Sequence, residues 1–219
     1  MATRSSHNWK NLPGNFYKLN TFQVFSSSNR YGIPDLGKTE GYPDGLIPYN
    51  HRVRSELGYK NLGIHFFLDD YRFESVWQYP DKTLERVAKA DFVLTPDFSL
   101  YTDWPLSLQI YNTYRNRWLG AFWQDKGVNV IPTIAWSTEQ SYEFCFLGIQ
   151  KRSVVAISTQ GIRTEEEKEL FKSGYEEMIN QISPEIVLCY GKMLEIETMT
   201  PVKEYSTLSK TLRELRHGR

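Results

Sequence analysis

Five short apolar runs, each ending in polar or turn-forming residues, constrain the fold of this chain more than any other feature. They are LGIHFFLDD (62–70), DFVLTPD (91–97), VNVIPTIAWS (128–137), SVVAIST (153–159) and EIVLCYG (185–191). Their apolar residues are continuous rather than alternating, which implies strands covered on both faces. Helical signals separate them. DKTLERVAKA (81–90) sets Leu84, Val87 and Ala88 on one face, with Asp81 as N-cap. The segment 103–127 reads as a long helix with Asp103 as cap, Pro105 in the first turn and Gly127 at C′. TEEEKELFKSGYEEMINQIS (164–183) opens on a capping box, Thr164 with Glu167, and repeats Phe171, Tyr175, Met178 and Ile182 at helical spacing.

Buried strands alternating with helices predict an α/β fold with parallel pairing. Five βα units are too few for a closed eight-stranded barrel, which typically takes about 250 residues. Repeated βα units forming an irregular or shortened TIM-barrel-like fold are the favoured architecture, because polar residues end all five runs. An open doubly wound parallel sheet is the alternative. The chain reads as a single domain over 1–219: an irregular N-terminal arm and long loop (1–62), a βα core (63–191), and a C-terminal extension (192–219). TFQVF (21–25) is the best candidate for a further strand. Residues 26–61 are rich in Gly, Pro, Asn and Asp without a sustained period, and a loop that long is more often functional than filler. In the tail, Leu208, Leu212 and Leu215 mark a short amphipathic helix.

The 26 basic and 26 acidic residues cancel. Zero net charge argues against non-specific nucleic-acid or membrane binding. Aromatics make up 15% of the chain, enough that some are expected on a binding surface as well as in the core. Cys145 and Cys189 both sit in apolar sequence and read as buried free thiols. The start MATRSSHNWKNLPG has no apolar signal-peptide core, and no run approaches the length of a membrane span, so a cytoplasmic location is expected.

In parallel α/β folds the functional edge lies at the strand C-termini. That rule selects Asp69 and Asp70, then Asp97, then Trp136 and Ser137, then Ser158, Thr159 and Gln160, and last Tyr190 and Gly191. Asp70 and Asp97 are acids that two different runs deliver to this edge. They suit either a Mg²⁺ or Mn²⁺ site or acid–base work. The plainer reading is that each caps a helix or pairs with an arginine such as Arg72. Asp69 and Asp70 alternate, so one of them is expected to point inward. His65, inside its run, reads as a hydrogen-bonded core residue. On the long helix, Asn112, Arg115 and Asn116 share one face, while Tyr111, Tyr114, Trp118 and Phe122 share another. Arg115 and Arg117 suit strand-end acids or a phosphate. No catalytic triad order, P-loop or dinucleotide glycine pattern is present.

The stretch FVLTPDFSLYTDWPLSLQIYNTYRNRWLGAFWQDKGVNVIPTIAWS (92–137), with GIHFFLDDYRFESVW, VVAIST and EIVLCYG in order around it, resembles an uncharacterised family. That family is catalogued only as a domain of unknown function, in Gram-positive bacteria, their phages and integrative elements. The residues most similar to its shared pattern are Asp70, Arg72, Pro96, Asp97, Arg115, Arg117, Trp118, Pro132 and Trp136. The resemblance implies a phage or mobile-element origin and a host bacterial cytosol, and it transfers no catalytic residue.

These readings converge on a small-ligand binding protein, most plausibly binding a nucleotide, with a counter-defence role as an extension. Asp70, Arg72, Asp97, Tyr101, Arg115, Trp136, Ser137, Ser158, Thr159 and Tyr190 form the expected ligand site, with Trp104 as a further stacking ring. No cofactor is expected for binding. The alternative is a metal-dependent phosphodiesterase or nuclease using Asp70 and Asp97 with Mg²⁺ or Mn²⁺. A third reading is a protein-interaction module working through 26–61. Self-association stays open under all three.

Overall fold

The computed structural model describes residues 18–50 and 59–207. The chain runs β1 (Gly45–Pro48), β2 (Tyr59–His65), α1 (Ser75–Gln78), α2 (Pro80–Val87), β3 (Ala90–Leu94) and α3 (Leu106–Asp125). It continues through β4 (Val130–Ile131), β5 (Val154–Ser158), α4 (Glu165–Ile182), β6 (Ile186–Tyr190) and β7 (Val202–Tyr205). Every pairing is parallel, in the orders β1-β2-β3-β4 and β5-β6-β7. An isolated parallel bridge, Thr133 with Ala156, links the two sheets just beyond β4. Strand order follows chain order in each sheet, so neither contains the reversal that a doubly wound sheet requires.

The apolar runs are continuous because both strand faces are covered. Val155, Ile157, Val187 and Cys189 pack with Phe171, Tyr175, Met178 and Ile182 of α4. Their neighbours Val154, Ala156, Leu188 and Tyr190 turn the other way and join Phe67, Leu94, Ile131 and Tyr205 in one buried cluster. That cluster draws on both sheets. On the outer face of the first sheet, Ile64, Val93 and Val130 pack against Trp118, Leu119 and Phe122 of α3. Among the described residues no backbone ladder joins β7 to β1. The two ends meet through side chains instead, with the Tyr205 hydroxyl (2.6 Å) and the Lys203 amine (3.0 Å) both donating to the carbonyl of Pro43.

Local sequence sets most helix ends. Thr164 and Glu167 form the expected reciprocal capping box on α4. Gly127, at φ 78°, closes α3: its N–H reaches the carbonyl of Gln124 and the Val128 N–H reaches that of Trp123. That is the Schellman pattern, in which the residue after the cap takes a left-handed conformation that glycine adopts without a Cβ clash.

Several expected boundaries move. Asp103 does not cap α3. The helix begins at Leu106 with Pro105 in the cap position, and the Pro105 carbonyl takes the N–H groups of Leu108 and Gln109. Residues 101–104 form a turn instead, closed by the Trp104 N–H on the Tyr101 carbonyl (3.1 Å). Asp81 likewise lies inside the first turn of α2, because Pro80 starts that helix. TFQVF forms no strand. Phe22 and Phe25 meet the Trp118 ring edge-on, each with centroids 5.6 Å away, and the Trp118 indole donates to the Gln23 carbonyl. The segment 26–61, expected to be a loop, contains β1 and the buried core residues Ile33 and Leu36. The C-terminal extension contributes β7, and the amphipathic helix expected over 206–219 lies almost wholly outside the described residues. No described helix is long and apolar enough to cross a membrane.

Candidate functional site

The segment after β3 is the centre of the site. Its backbone makes a tight turn, with the Phe98 N–H donating to the Pro96 carbonyl (3.0 Å), so that Asp97 sits at the turn's apex. Three amides along one face of α3 hold this segment. Asn116 donates to the Pro96 carbonyl (2.8 Å), Asn112 to Ser99 (2.8 Å) and Gln109 to Trp104 (2.9 Å). Asp70, from the 3₁₀ turn after β2, accepts both the N–H (3.2 Å) and the hydroxyl (2.9 Å) of Ser99. The exit of a core strand is therefore clamped from two sides.

Asp97 projects from this clamp into a cleft along the strand C-termini, and two chambers meet there. The larger, about 580 Å³, has apolar walls from Ile134, Trp136, Ile157, Leu170 and Phe171. The smaller, about 490 Å³, is lined by Phe67, Asp69, Arg72 and Ser99. Asp97, Tyr101, Ser158 and Gln160 line both, so they form the waist. Both volumes lie in the range of small-molecule sites.

The Asp97 carboxyl receives no hydrogen bond from the described residues. Burial pushes its pKa up from 3.8 to about 7, and the neighbouring Asp70 carboxylate adds to the rise. The group is therefore poised between its neutral and ionised forms near neutral pH. Trp136 is fixed beside it: the indole N–H donates to the Leu170 carbonyl (3.3 Å), and the ring lies against Gly174 on α4. A Cβ at Gly174 would stand 2.1 Å from the indole nitrogen, so this position admits no side chain while Trp136 keeps its place. Tyr101 is exposed at the rim and meets Trp104 edge-on, with centroids 4.8 Å apart.

The match with known proteins covers most of this framework. Residues 25–206 match the family model described as a domain of unknown function, DUF4417. The chain belongs to that family. It is 45% identical over 210 residues to the Gene 1 protein of Mycobacterium phage L5, covering 94% of this chain and 92% of that protein. It is 43% identical over 210 residues to the Gene 1 protein of Mycobacterium phage D29, covering 94% and 78%. No solved structure matches it.

In this DUF4417 chain the residues expected at the site separate into two groups. Arg72, Asp97, Tyr101, Trp136 and Ser158 line the cleft. Of the adjacent acids it is Asp69 that reaches the cleft, paired with Arg72 at 2.9 Å, while Asp70 is turned back to hold Ser99. The others serve the scaffold. Arg115 gives its Nη1 to both carboxylate oxygens of Glu74 (2.9 and 3.0 Å), with its guanidinium 3.6 Å from the Phe98 ring centroid. Arg117 is buried and donates to the carbonyls of Leu147, Thr133 and Cys145 and to the side-chain oxygen of Asn116. Ser137 is buried in the turn that precedes Ser141. The Thr159 hydroxyl donates to the Lys192 carbonyl (2.9 Å). Tyr190 stacks on Phe67 and meets His65 at a tilt in the inner cluster.

Other nucleophile and base candidates lie away from the cleft. Burial pushes the thiol of Cys145 up to about 12 and that of Cys189 to about 11, so both stay protonated. Burial also drives His65 down to about 3. It is neutral, and its Nδ1 accepts the Phe67 N–H. Among the described residues no three His, Cys, Asp or Glu side chains gather as a metal site would require. Leu170 and Phe171 are wall residues that sequence reading assigned only to a helix's core face or passed over. Their spacing signals burial, and nothing in it distinguishes a packed face from a cavity wall.

Proposed function

We propose that this chain is a small-ligand binding protein whose site is the divided cleft, and that the ligand is of nucleoside or nucleotide type. The observation that carries this reading is the unpartnered Asp97 carboxyl at the waist between an apolar and a polar chamber. A planar ring fits the larger chamber against Trp136 and Phe171. Hydroxyl or amine donors of the same ligand meet Asp97, Ser158 and Gln160, and its polar end points toward Arg72. Arg115 and Arg117 take no part in this reading, because neither lines either chamber: Arg115 is paired with Glu74, and Arg117 donates to backbone carbonyls.

The strands are proposed to form an irregular barrel whose mouth is the cleft, supported by the inner cluster that draws on both sheets and by the bonds to Pro43. The phage-associated family makes sequestration of a host signalling nucleotide, in the host cytosol, the natural biological extension. Isothermal titration of the full chain against a panel of nucleosides and nucleotides tests the reading. One-to-one heat from at least one member is expected, and none across the panel removes it.

A second reading has its own support. A carboxyl pushed to about 7 is matched to general acid–base catalysis at neutral pH. Its metal-dependent form has weaker support, because Asp70 already accepts two hydrogen bonds from Ser99. Turnover of a nucleoside or phosphodiester substrate that disappears in Asp97→Asn, with binding retained, would favour catalysis over binding alone.

A further inference from the structure

Resting on the cleft reading above, we infer that the larger chamber selects ligands whose ring carries a cationic or N–H-donating nitrogen and discriminates against anionic ones, polyphosphates included.

The inventory of the wall carries the argument. Among the described residues that line it, Asp97, Glu166 and Glu167 carry carboxyl groups and none is Lys, Arg or His. An ionised carboxylate accepts hydrogen bonds and donates none. Asp97 has no donor among the described residues, so a ligand that displaces water from the cleft must supply one or leave the group underpartnered. The start of α4 would ordinarily attract an anion. Here its first turn holds Glu165, Glu166 and Glu167, and the Glu167 carboxylate already accepts the N–H groups of Arg163 (2.7 Å) and Thr164 (2.9 Å). The anion position is filled by the chain itself.

The Trp136 indole N–H is bonded to Leu170, and Arg72, in the smaller chamber, is paired with Asp69. The side chains of Tyr101, Thr102 and Gln160 add neutral polar groups to the wall. The charge that the described wall offers a ligand is therefore negative, beside an apolar surface and the acceptor Asp97. An incoming cation reverses the main penalty on Asp97, because an opposite charge favours the ionised form that burial disfavours. An incoming anion deepens that penalty. Among nucleoside-type ligands, the same logic ranks a nucleoside above its triphosphate.

Three indole probes of nearly equal size isolate the charge: tryptamine, tryptophol and indole-3-acetate. Each is titrated calorimetrically into the full chain at pH 8. Tryptamine is expected to bind at least tenfold more tightly than indole-3-acetate, with tryptophol between them. Asp97→Asn should lower tryptamine affinity about tenfold and change tryptophol by less than threefold. Its fold is checked by its urea midpoint. Should that variant misfold, Glu166→Gln replaces it, with a two- to threefold loss for tryptamine and none for tryptophol. Binding of indole-3-acetate as tight as that of tryptamine, or tryptamine affinity unmoved by the folded variant, overturns the charge selection and leaves the cleft reading standing. Silence from all three probes and from the nucleoside panel overturns both.

Discussion

Arg117 is fully buried and Asp97 half-buried at a cleft wall, and the protein treats the two ionisable groups in opposite ways. Around Arg117 the fold supplies four oxygen acceptors, from Asn116, Thr133, Cys145 and Leu147. Burial lowers its pKa only to about 10, so it stays charged at neutral pH. Around Asp97 the described residues supply no donor, and a second acid stands nearby. The first arrangement is a staple that ties α3 to the residues following β4 and to the loop before β5. The second is an unfilled valence facing a cavity. A buried charge with all its partners reports on structure. One left without described partners, at a place the chain has clamped from two sides, is what the proposal of a ligand site rests on.

The comparison breaks most forcefully at the staple. Arg117→Met keeps much of the volume but leaves buried carbonyls without donors, and a loss of roughly 2–4 kcal/mol is expected in urea unfolding. A loss under about 1 kcal/mol would mean that water or neighbouring donors replace the guanidinium.

Gly174→Ala strikes the wall rather than the staple. A methyl group 2.1 Å from the Trp136 nitrogen must push the ring toward the larger chamber. A cost of about 2 kcal/mol is expected, together with weaker binding of any ring-bearing ligand. Unchanged near-ultraviolet circular dichroism and unchanged binding would show that Trp136 is not fixed there.

Asp97→Asn should act with the opposite sign. The folded carboxyl titrates at about 7 and the unfolded one near 3.8, so the folded state holds the proton between those values. This group's stabilisation is complete below the unfolded value and is lost as the pH rises through 7. Asparagine has no such loss. The variant should therefore match the parent at pH 4 and exceed it at pH 8, by on the order of 1–2 kcal/mol after allowance for its contact with the cleft. Equal stability at both pH values would mean that Asp97 finds a donor or solvent that lowers its pKa.

The smallest effect belongs to the capping box. Thr164→Ala is expected to cost about 1 kcal/mol. The backbone N–H groups of Arg163 and Thr164 that hold the Glu167 carboxylate survive the change, so the affinities for tryptamine and for the anionic probe should both stay as they are.

Much of the framework was legible in the chain. The five apolar runs correspond to β2 through β6, and the ends of α4 and the C′ position of α3 follow from Thr164, Glu167 and Gly127. β1 and β7 were not legible, for different reasons. GLIP is four residues long inside a Gly- and Pro-rich stretch, and it becomes a strand through pairing with β2. VKEY has half its residues charged, which suits a strand at the end of a sheet beside solvent and resembles loop sequence when read alone. TFQVF carried the stronger strand signal, yet its rings cover Trp118, and its composition could not say whether they would pair or pack.

Of the residues that the architecture rule selected, Asp69, Asp97, Trp136, Ser158 and Gln160 line the cleft. The rule also drew in Ser137, Thr159 and Tyr190, whose side chains turn into the body of the protein. Position along a strand fixes which edge a residue reaches, and it leaves open which way a residue just past the strand's end will point.

By itself the sequence determined the α/β class, the parallel pairing of the central strands and the edge at which polar residues collect. Those follow from periodicity and local chemistry, which act over a few residues at a time. Only the tertiary structure decided that Arg115 and Arg117 belong to the scaffold, that Asp70 is occupied by Ser99, and that Asp97 has no hydrogen-bond partner among the described residues. Partnership is a property of groups distant in sequence, such as Arg115 with Glu74 or Asn116 with Pro96 and Thr133. It exists only once the chain has brought them together.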